Sequence, residues 1–356
     1  MQKELWKGNE AIAEAAIRAG CKCFFGYPIT PQNEIPEYMS MRMPKTGGVF
    51  VQSESEVAAI NMVYGAAATG VRAMTSSSSP GVSLKQEGIS YMAGAELAAV
   101  VVNVMRGGPG LGSIQPSQSD YFQATRGGGN GDYRTIVLAP CNIQEAVDFT
   151  QEAFDLADYY RNPVVILADG MIGQMMEPIV WHEIPKRQLP GKDWAASGRQ
   201  GRKENRFITS LLIDARVCED HNLHLAEKYS CMERDEVRWE ESGTEDCDVL
   251  IVAYGTPSRI AMSAMEVLEK EKNIKAGLFR PITLWPFPGD RLRELSEREN
   301  IKAVFVVEMS LGQMLDDVRL AVNGKKQVKF FGRTGGSIPA LDEIVNAVGN
   351  VLKEVK

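Results

Sequence analysis

The chain has 356 residues, enough for two or three domains of about 150 residues and for a large core without disulfide or metal staples. Apolar residues make up 44% and charged residues 24%, which excludes a disordered, coiled-coil or collagen-like chain. Lys and Arg number 39 against 46 Asp and Glu, and the net charge of −7 disfavours nucleic acid as a partner, because phosphate contacts ask for a basic face.

The first 20 residues hold no apolar run before a small-residue cleavage site, so no signal peptide is expected. The longest apolar stretch, Leu97 to Met105, is interrupted by Asn103 and far short of the roughly 20 residues a membrane helix needs. A soluble, cytoplasmic protein is expected. The six cysteines form no C-x-x-C pair, so no iron–sulfur or structural zinc motif is present. Cys21 and Cys23 read as buried strand residues.

Up to about residue 175 the elements alternate. Asn9 is expected to cap a helix through Ala11, Ala15 and Ile17, with Gly20 past its end. A strand at Cys23-Phe24-Phe25 ends at Gly26-Tyr27-Pro28, and a helix starts near Pro31. Val49-Phe50-Val51 is a strand, Glu56 to Ala68 a small-residue helix stopped by Gly70. Arg72 to Thr75 is a strand, then come a serine run and a helix near Val82 to Ala93. Leu97 to Met105 and Ile136-Val137-Leu138 are strands, Ile143 to Asp158 a long amphipathic helix, and Val164 to Leu167 the last strand. Apolar strands alternating with helices predict an α/β protein with a doubly wound parallel sheet.

Residues 176–245 break this rhythm with prolines, a polar basic stretch and a helical pattern from Asp214 to Glu240, with Leu223, Ala226, Tyr229 and Val237 on one side. They read as a linker and helical excursion. Residues 246–356 resume the alternation as a second, smaller α/β domain: strands at Val249 to Tyr254, Ala276 to Phe279 and Ala303 to Val307, helices at Ser258 to Glu271 and Met314 to Val322, and a rigid connector from Arg280 to Pro288. Met39, Met41 and Met43 read as an adaptable interface rather than core filling.

Ligands of doubly wound sheets bind beyond the carboxyl ends of the strands. The loops there are Tyr27-Pro28-Ile29-Thr30-Pro31, Gln52-Ser53-Glu54-Ser55-Glu56, Thr75 to Gly81 with four successive serines, and Arg106-Gly107-Gly108-Pro109-Gly110-Leu111-Gly112. One cation, two carboxylates, hydroxyls and bare backbone suit a small anionic substrate beside a larger cofactor. The glycines at 108, 110 and 112 are not a dinucleotide fingerprint, since no helix follows, and no Walker lysine is present. No His lies in these loops, which disfavours a Ser–His–Asp triad. Cys218, His221 and His224 share a helical face outside the cleft and read as solvated surface rather than a metal site.

Taken together and in this order, these four loops resemble the α subunit of 2-oxoacid:ferredoxin oxidoreductases, most closely the 2-oxoisovalerate (3-methyl-2-oxobutanoate) type, with the 2-oxoglutarate type next. The resemblance covers nearly the whole chain. It implies that residues 1–175 are a thiamine-diphosphate-binding-like domain of the pyrimidine type, and that residues 246–356 resemble the transketolase C-terminal domain. It further implies a cofactor, thiamine diphosphate, whose pyrimidine ring shares a proton with a carboxylate of this domain. Glu56 is assigned that catalytic role because Gly65 follows it nine positions later, as in thiamine enzymes generally; the same spacing from Glu54 meets Val63. Tyr27, Pro28, Ile29, Ser78 and Ser79 are implied cofactor contacts. Thr30 and Arg106 are implied substrate contacts, the arginine fork suiting a carboxylate.

The chain lacks the family's Gly-Asp-Gly site for Mg²⁺ and the diphosphate; Ala168-Asp169-Gly170 is a decoy without the following asparagines. It also lacks cluster-binding cysteines. The resemblance therefore implies a β subunit bringing Mg²⁺ and the diphosphate half, with γ and ferredoxin-like subunits bringing iron–sulfur clusters. The expected reaction is oxidative decarboxylation of a 2-oxoacid with coenzyme A to acyl-CoA, CO₂ and reduced ferredoxin. A 2-oxoglutarate enzyme would need a second cation for the distal carboxylate; Lys85, Arg126 and Arg134 are the nearby candidates. A non-catalytic assembly subunit and a self-sufficient nucleotide-binding enzyme are the rival readings.

Overall fold

The computed structural model describes residues 3–354. Seven strands form the larger sheet, in the spatial order Thr283–Trp285, Ile136–Leu138, Pro163–Asp169, Ala99–Met105, Ala73–Ser77, Cys23–Gly26, Val49–Gln52. All neighbours run parallel except the first pair, Thr283–Trp285 with Ile136–Leu138. The central strands Ala99–Met105 and Pro163–Asp169 are buried along their whole length, as a parallel strand covered on both faces must be. The chain runs from Cys23–Gly26 outward to Val49–Gln52 and then returns to Ala73–Ser77 on the other side. This reversal opens a crevice at the carboxyl ends of Cys23–Gly26 and Ala73–Ser77, where such sheets receive ligands.

A five-stranded sheet, in the order Gln327–Gly332, Ala303–Glu308, Val249–Val252, Ala276–Pro281, Trp239–Ser242, forms the second unit, parallel but for its last pair. Glu4–Lys7 and Met176–Ile179 make a separate antiparallel ribbon.

Five local expectations are corrected. The first helix, Gly8–Arg18, begins before Asn9, whose amide is buried and donates to Pro31 O and Glu34 Oε2, both 2.7 Å, so it ties the helix to the Pro31 turn instead of capping it. The helix expected near Pro31 begins at Glu34. The helix after Asp214 is Ala215–Asp235 and buries Leu225, Tyr229 and Met232, while Leu223 is exposed; the tail up to Glu240 enters the edge strand Trp239–Ser242. The Arg280–Pro288 connector is no plain linker, because Thr283–Trp285 crosses back to the first sheet. Met39 and Met43 are fully buried core and Met41 alone is exposed, against the interface reading.

The two units are joined by buried polar contacts. Gln118 exchanges hydrogen bonds with Met309 N and O and with Tyr254 O, each 2.9 Å. Asp169 accepts from Met171 N and Ile172 N at one helix start and from Thr256 N and Oγ1 at another. That carboxylate is 1% exposed and has both oxygens engaged, so the Ala168-Asp169-Gly170 string pins two helix ends. Asp169→Ala orphans those donors and is expected to lower unfolding stability by about 3 kcal/mol, read from the urea midpoint of the transition.

Candidate active site

Glu56 opens the helix Glu56–Ala68, whose N-cap Ser55 accepts from Ala58 N at 3.2 Å. The cap satisfies one of the free N–H groups at the helix start, and the acidic first residue complements the helix dipole. Glu56 is 7% exposed whereas Glu54 is exposed, so the two carboxylates that were candidates differ sharply in environment. The Glu56 carboxylate rests on Gly81, in the first turn of the helix Ser79–Gly94. A Cβ there would stand 2.1 Å from Ser77 Oγ and 2.6 Å from Glu56 Oε1. Glycine at 81 therefore lets a carboxylate and a hydroxyl converge where any other residue would separate them.

The serine run carries the site across the crevice. Thr75 Oγ1 donates to Phe25 O at 2.6 Å and Ser76 Oγ to Gln32 Oε1 at 2.5 Å, so the end of Ala73–Ser77 holds the Tyr27–Pro31 loop through buried Gln32. Ser79 Oγ donates to Asp120 Oδ2 at 2.5 Å and accepts from Arg106 N at 3.0 Å; Ser79 N donates to Asn103 Oδ1 at 3.1 Å. Asn103 Nδ2 in turn donates to Asp120 Oδ2 at 2.9 Å. Burial pushes the Asp120 carboxyl above its usual range, against the lowering effect of its bonds from Ser79 and Asn103.

Arg106, 7% exposed, spreads its guanidinium between two loops, Nη1 to Thr30 O and Nη2 to Leu111 O, both 2.9 Å. Thr30 and Arg106 are thus brought together, but through the Thr30 carbonyl; the Thr30 hydroxyl lies 3.4 Å from Asn33 Nδ2. Tyr27 and Pro28 are exposed, and Ile29 is half-buried.

Three buried polar atoms along this path lack a partner among the described residues: Ser77 Oγ, Ser78 Oγ and Arg106 Nε. Buried hydroxyls and guanidinium nitrogens are rarely left orphaned, and three in one crevice mark where a polar ligand belongs. The residues present, with orphaned hydroxyls and a guanidinium nitrogen near the buried Glu56 carboxylate, therefore fit a ring carrying both donors and acceptors.

The candidates for a second substrate cation do not reach Arg106. Lys85 is fully buried, its ammonium donating to Thr75 Oγ1 at 2.7 Å and Ser76 O at 2.9 Å. Arg126 pairs with Asp317 of the second unit, and Arg134 donates to Arg126 O. His221 engages Gly94 O and His224 engages Glu96 Oε1. Among the described residues no group of three His, Cys, Asp or Glu side chains could hold a metal, and no helix is long and apolar enough to cross a membrane.

Sequence reasoning missed Gln32, Asp120 and Asn103 as parts of the site. Asn103 did leave a signal, as the one polar residue in the most apolar strand.

Residues 14–233 match the family model "pyruvate flavodoxin/ferredoxin oxidoreductase, thiamine diP-bdg", and residues 247–344 match "pyruvate:ferredoxin oxidoreductase core domain II". The ketoisovalerate oxidoreductase subunit VorB of Methanothermobacter marburgensis is 50% identical over 355 residues, covering 99% of both chains. The 2-oxoglutarate synthase subunit KorA of the same organism is 39% identical, covering 96% of this chain and 97% of its own. Among solved structures, a 2-oxoglutarate:ferredoxin oxidoreductase from Magnetococcus marinus, with 2-oxoglutarate, coenzyme A and succinyl-CoA bound, superposes with a TM-score of 0.85 at 27% identity. The match covers 99% of this chain and 65% of that one.

Proposed function

The chain belongs to the 2-oxoacid:ferredoxin oxidoreductase subunits, and from that premise we propose that it is the α subunit of a complex that oxidatively decarboxylates a branched-chain 2-oxoacid, 3-methyl-2-oxobutanoate, with coenzyme A, passing electrons to ferredoxin in the cytoplasm. The observation that carries this reading is the buried Glu56 carboxylate, set on Gly81 beside orphaned serine hydroxyls at the sheet's switch point.

Thiamine diphosphate, when bound, would supply a nucleophilic carbon for the 2-oxo group and an electron sink for the decarboxylation. The chain's own residues do the rest. Glu56 holds and exchanges a proton at Oε1 with the pyrimidine ring nitrogen. Ser77 and Ser78 offer hydroxyls to the ring, and the Tyr27–Ile29 turn and Ser79 shape its edge. Arg106, braced by Thr30 O and Leu111 O, presents its remaining N–H groups to the substrate carboxylate. The diphosphate and Mg²⁺ fall to a β subunit, and the iron–sulfur clusters to further subunits. Gly65 supports a partner on the exposed side of the Glu56–Ala68 helix. A Cβ at Gly65 would meet open space within this chain, so its cost to the helix has no local reason.

Two measurements test this reading. The native complex is purified and its chains identified, then assayed with coenzyme A, a viologen acceptor and a panel of 2-oxoacids. A thiamine diphosphate-dependent preference for 3-methyl-2-oxobutanoate is expected; a preference for 2-oxoglutarate, or no decarboxylation, overturns it. Second, Arg106→Lys keeps the charge but loses the fork, so KM for the 2-oxoacid rises about tenfold or more, with a smaller change in kcat. An unchanged KM would remove Arg106 from the substrate site.

A further inference from the structure

The second unit reaches the crevice through one short segment of the first. Its helix Gln313–Val322 presents Gln313 and Asp317, a helical turn apart and so on one face, to residues 119–126. Gln313 Nε2 donates to Ser119 O at 2.7 Å, and Phe122 N donates to Gln313 Oε1 at 2.8 Å. These bonds fix the orientation of the amide, because exchanging its oxygen and nitrogen would set donor against donor and acceptor against acceptor. Asp317 accepts from Tyr121 Oη at 2.5 Å and pairs with Arg126 at 3.0 Å. Asp120 lies between the two backbone groups that Gln313 holds. Its Oδ2 accepts from Ser79 Oγ at 2.5 Å and from Asn103 Nδ2 at 2.9 Å, while Asn103 Oδ1 accepts from Ser79 N at 3.1 Å. Ser79 is thereby held at both its amide and its hydroxyl.

A hydroxyl carries one proton, and Ser79 has two acceptors in reach, Asp120 Oδ2 at 2.5 Å and Arg106 O at 3.2 Å. The carboxylate is the stronger acceptor and takes the proton, which leaves the Ser79 oxygen free to accept from Arg106 N at 3.0 Å. Were Asp120 to swing away, the hydroxyl would turn to Arg106 O and its hold on Arg106 N would weaken. We propose that Gln313 is a positioning residue for the 2-oxoacid: by bracketing Asp120 it aims that carboxylate at Ser79, and Ser79 holds the Arg106 main chain from which the guanidinium extends to the substrate. The proposal rests on the assignment of Arg106 given above. It gives the second unit a part in substrate binding, exerted through a chain of hydrogen bonds from Gln313 to Arg106.

The test uses the assembled complex, with coenzyme A, a viologen acceptor and the 2-oxoacid that the complex prefers. Gln313→Met keeps the length of the side chain and loses both bonds, while Asp317 still holds Tyr121 and Arg126. KM for the 2-oxoacid is expected to rise by about fivefold with kcat within about twofold of wild type, in the range of substitutions that act through a bonded network. A purely structural role would lower the active fraction, and with it kcat, and would leave KM unmoved. Gln313→Glu, which keeps the acceptor for Phe122 N and loses the donor for Ser119 O, carries the same expectation should the methionine variant fail to assemble. Asp120→Ala should raise KM at least as far, and Asp120→Asn, which keeps an acceptor for Ser79, should restore most of the loss. In an Arg106→Lys background, Gln313→Met should add nothing to KM, because its effect passes through Arg106. An unmoved KM in the Gln313 variants, or rises that multiply in the double variant, overturns the proposal. If Arg106→Lys alone leaves KM unchanged, the assignment of Arg106 is what fails.

Discussion

Glu56→Gln lowers kcat of the assembled complex by on the order of 10² to 10⁴-fold, the usual contribution of a positioned proton-transfer group. Glutamine matches the size of the carboxylate and can still approach Gly81, so packing between the two helices survives and thermal stability of the chain stays within about 1 kcal/mol of wild type. What the amide loses is the ability to take and return a proton at Oε1. Steady-state turnover with a viologen acceptor and deuterium exchange at the cofactor's C2 position should fall together, while affinity for thiamine diphosphate changes far less. Turnover retained in full would favour the non-catalytic assembly subunit over the enzyme reading.

Gly81→Ala separates geometry from chemistry. The new methyl would overlap Ser77 Oγ at 2.1 Å and Glu56 Oε1 at 2.6 Å. Both are tips of side chains that can rotate away, and alanine suits a helix better than glycine by about 1 kcal/mol, so folding stability should change little. The displaced tip is the proposed proton-transfer group, however, and a shift of about 1 Å at such a group can cost on the order of 100-fold in rate. A variant that melts like wild type but has lost most of its turnover is the expected result. Equal activity would mean that the carboxylate works from another position.

The resemblance carried by the four loops was legible because each loop is a short contiguous string, and its chemistry does not depend on knowing the partners. Glu56 could be preferred to Glu54 on spacing, and the structure buries the one and exposes the other. The Asn9 cap misread a local signal: an asparagine near a helix start usually bonds forward along its own chain, whereas this one bonds Pro31 and Glu34 from a neighbouring element. Lys85 stood among three candidates for a second substrate cation because of its place in the sequence alone. Its position on the helix was evident from the sequence, but not that its side chain turns inward to Thr75 and Ser76. Asp120 sits in a loop with no helical or strand period, and only the approach of Ser79 and Asn103 gives it a role.

Periodicity, small-residue punctuation and the loop strings by themselves determined the α/β alternation, the doubly wound first sheet, the separate second unit and the helix that begins at Glu56. Only the tertiary structure decided that Thr283–Trp285 returns to the first sheet, that Trp239–Ser242 edges the second, and that Arg106 is braced by Thr30 O and Leu111 O. The physical reason is range. Helix and strand periods are set by neighbours within a few residues, whereas strand pairing and buried hydrogen bonds join groups far apart in the chain, where many partners are chemically equivalent until packing selects one.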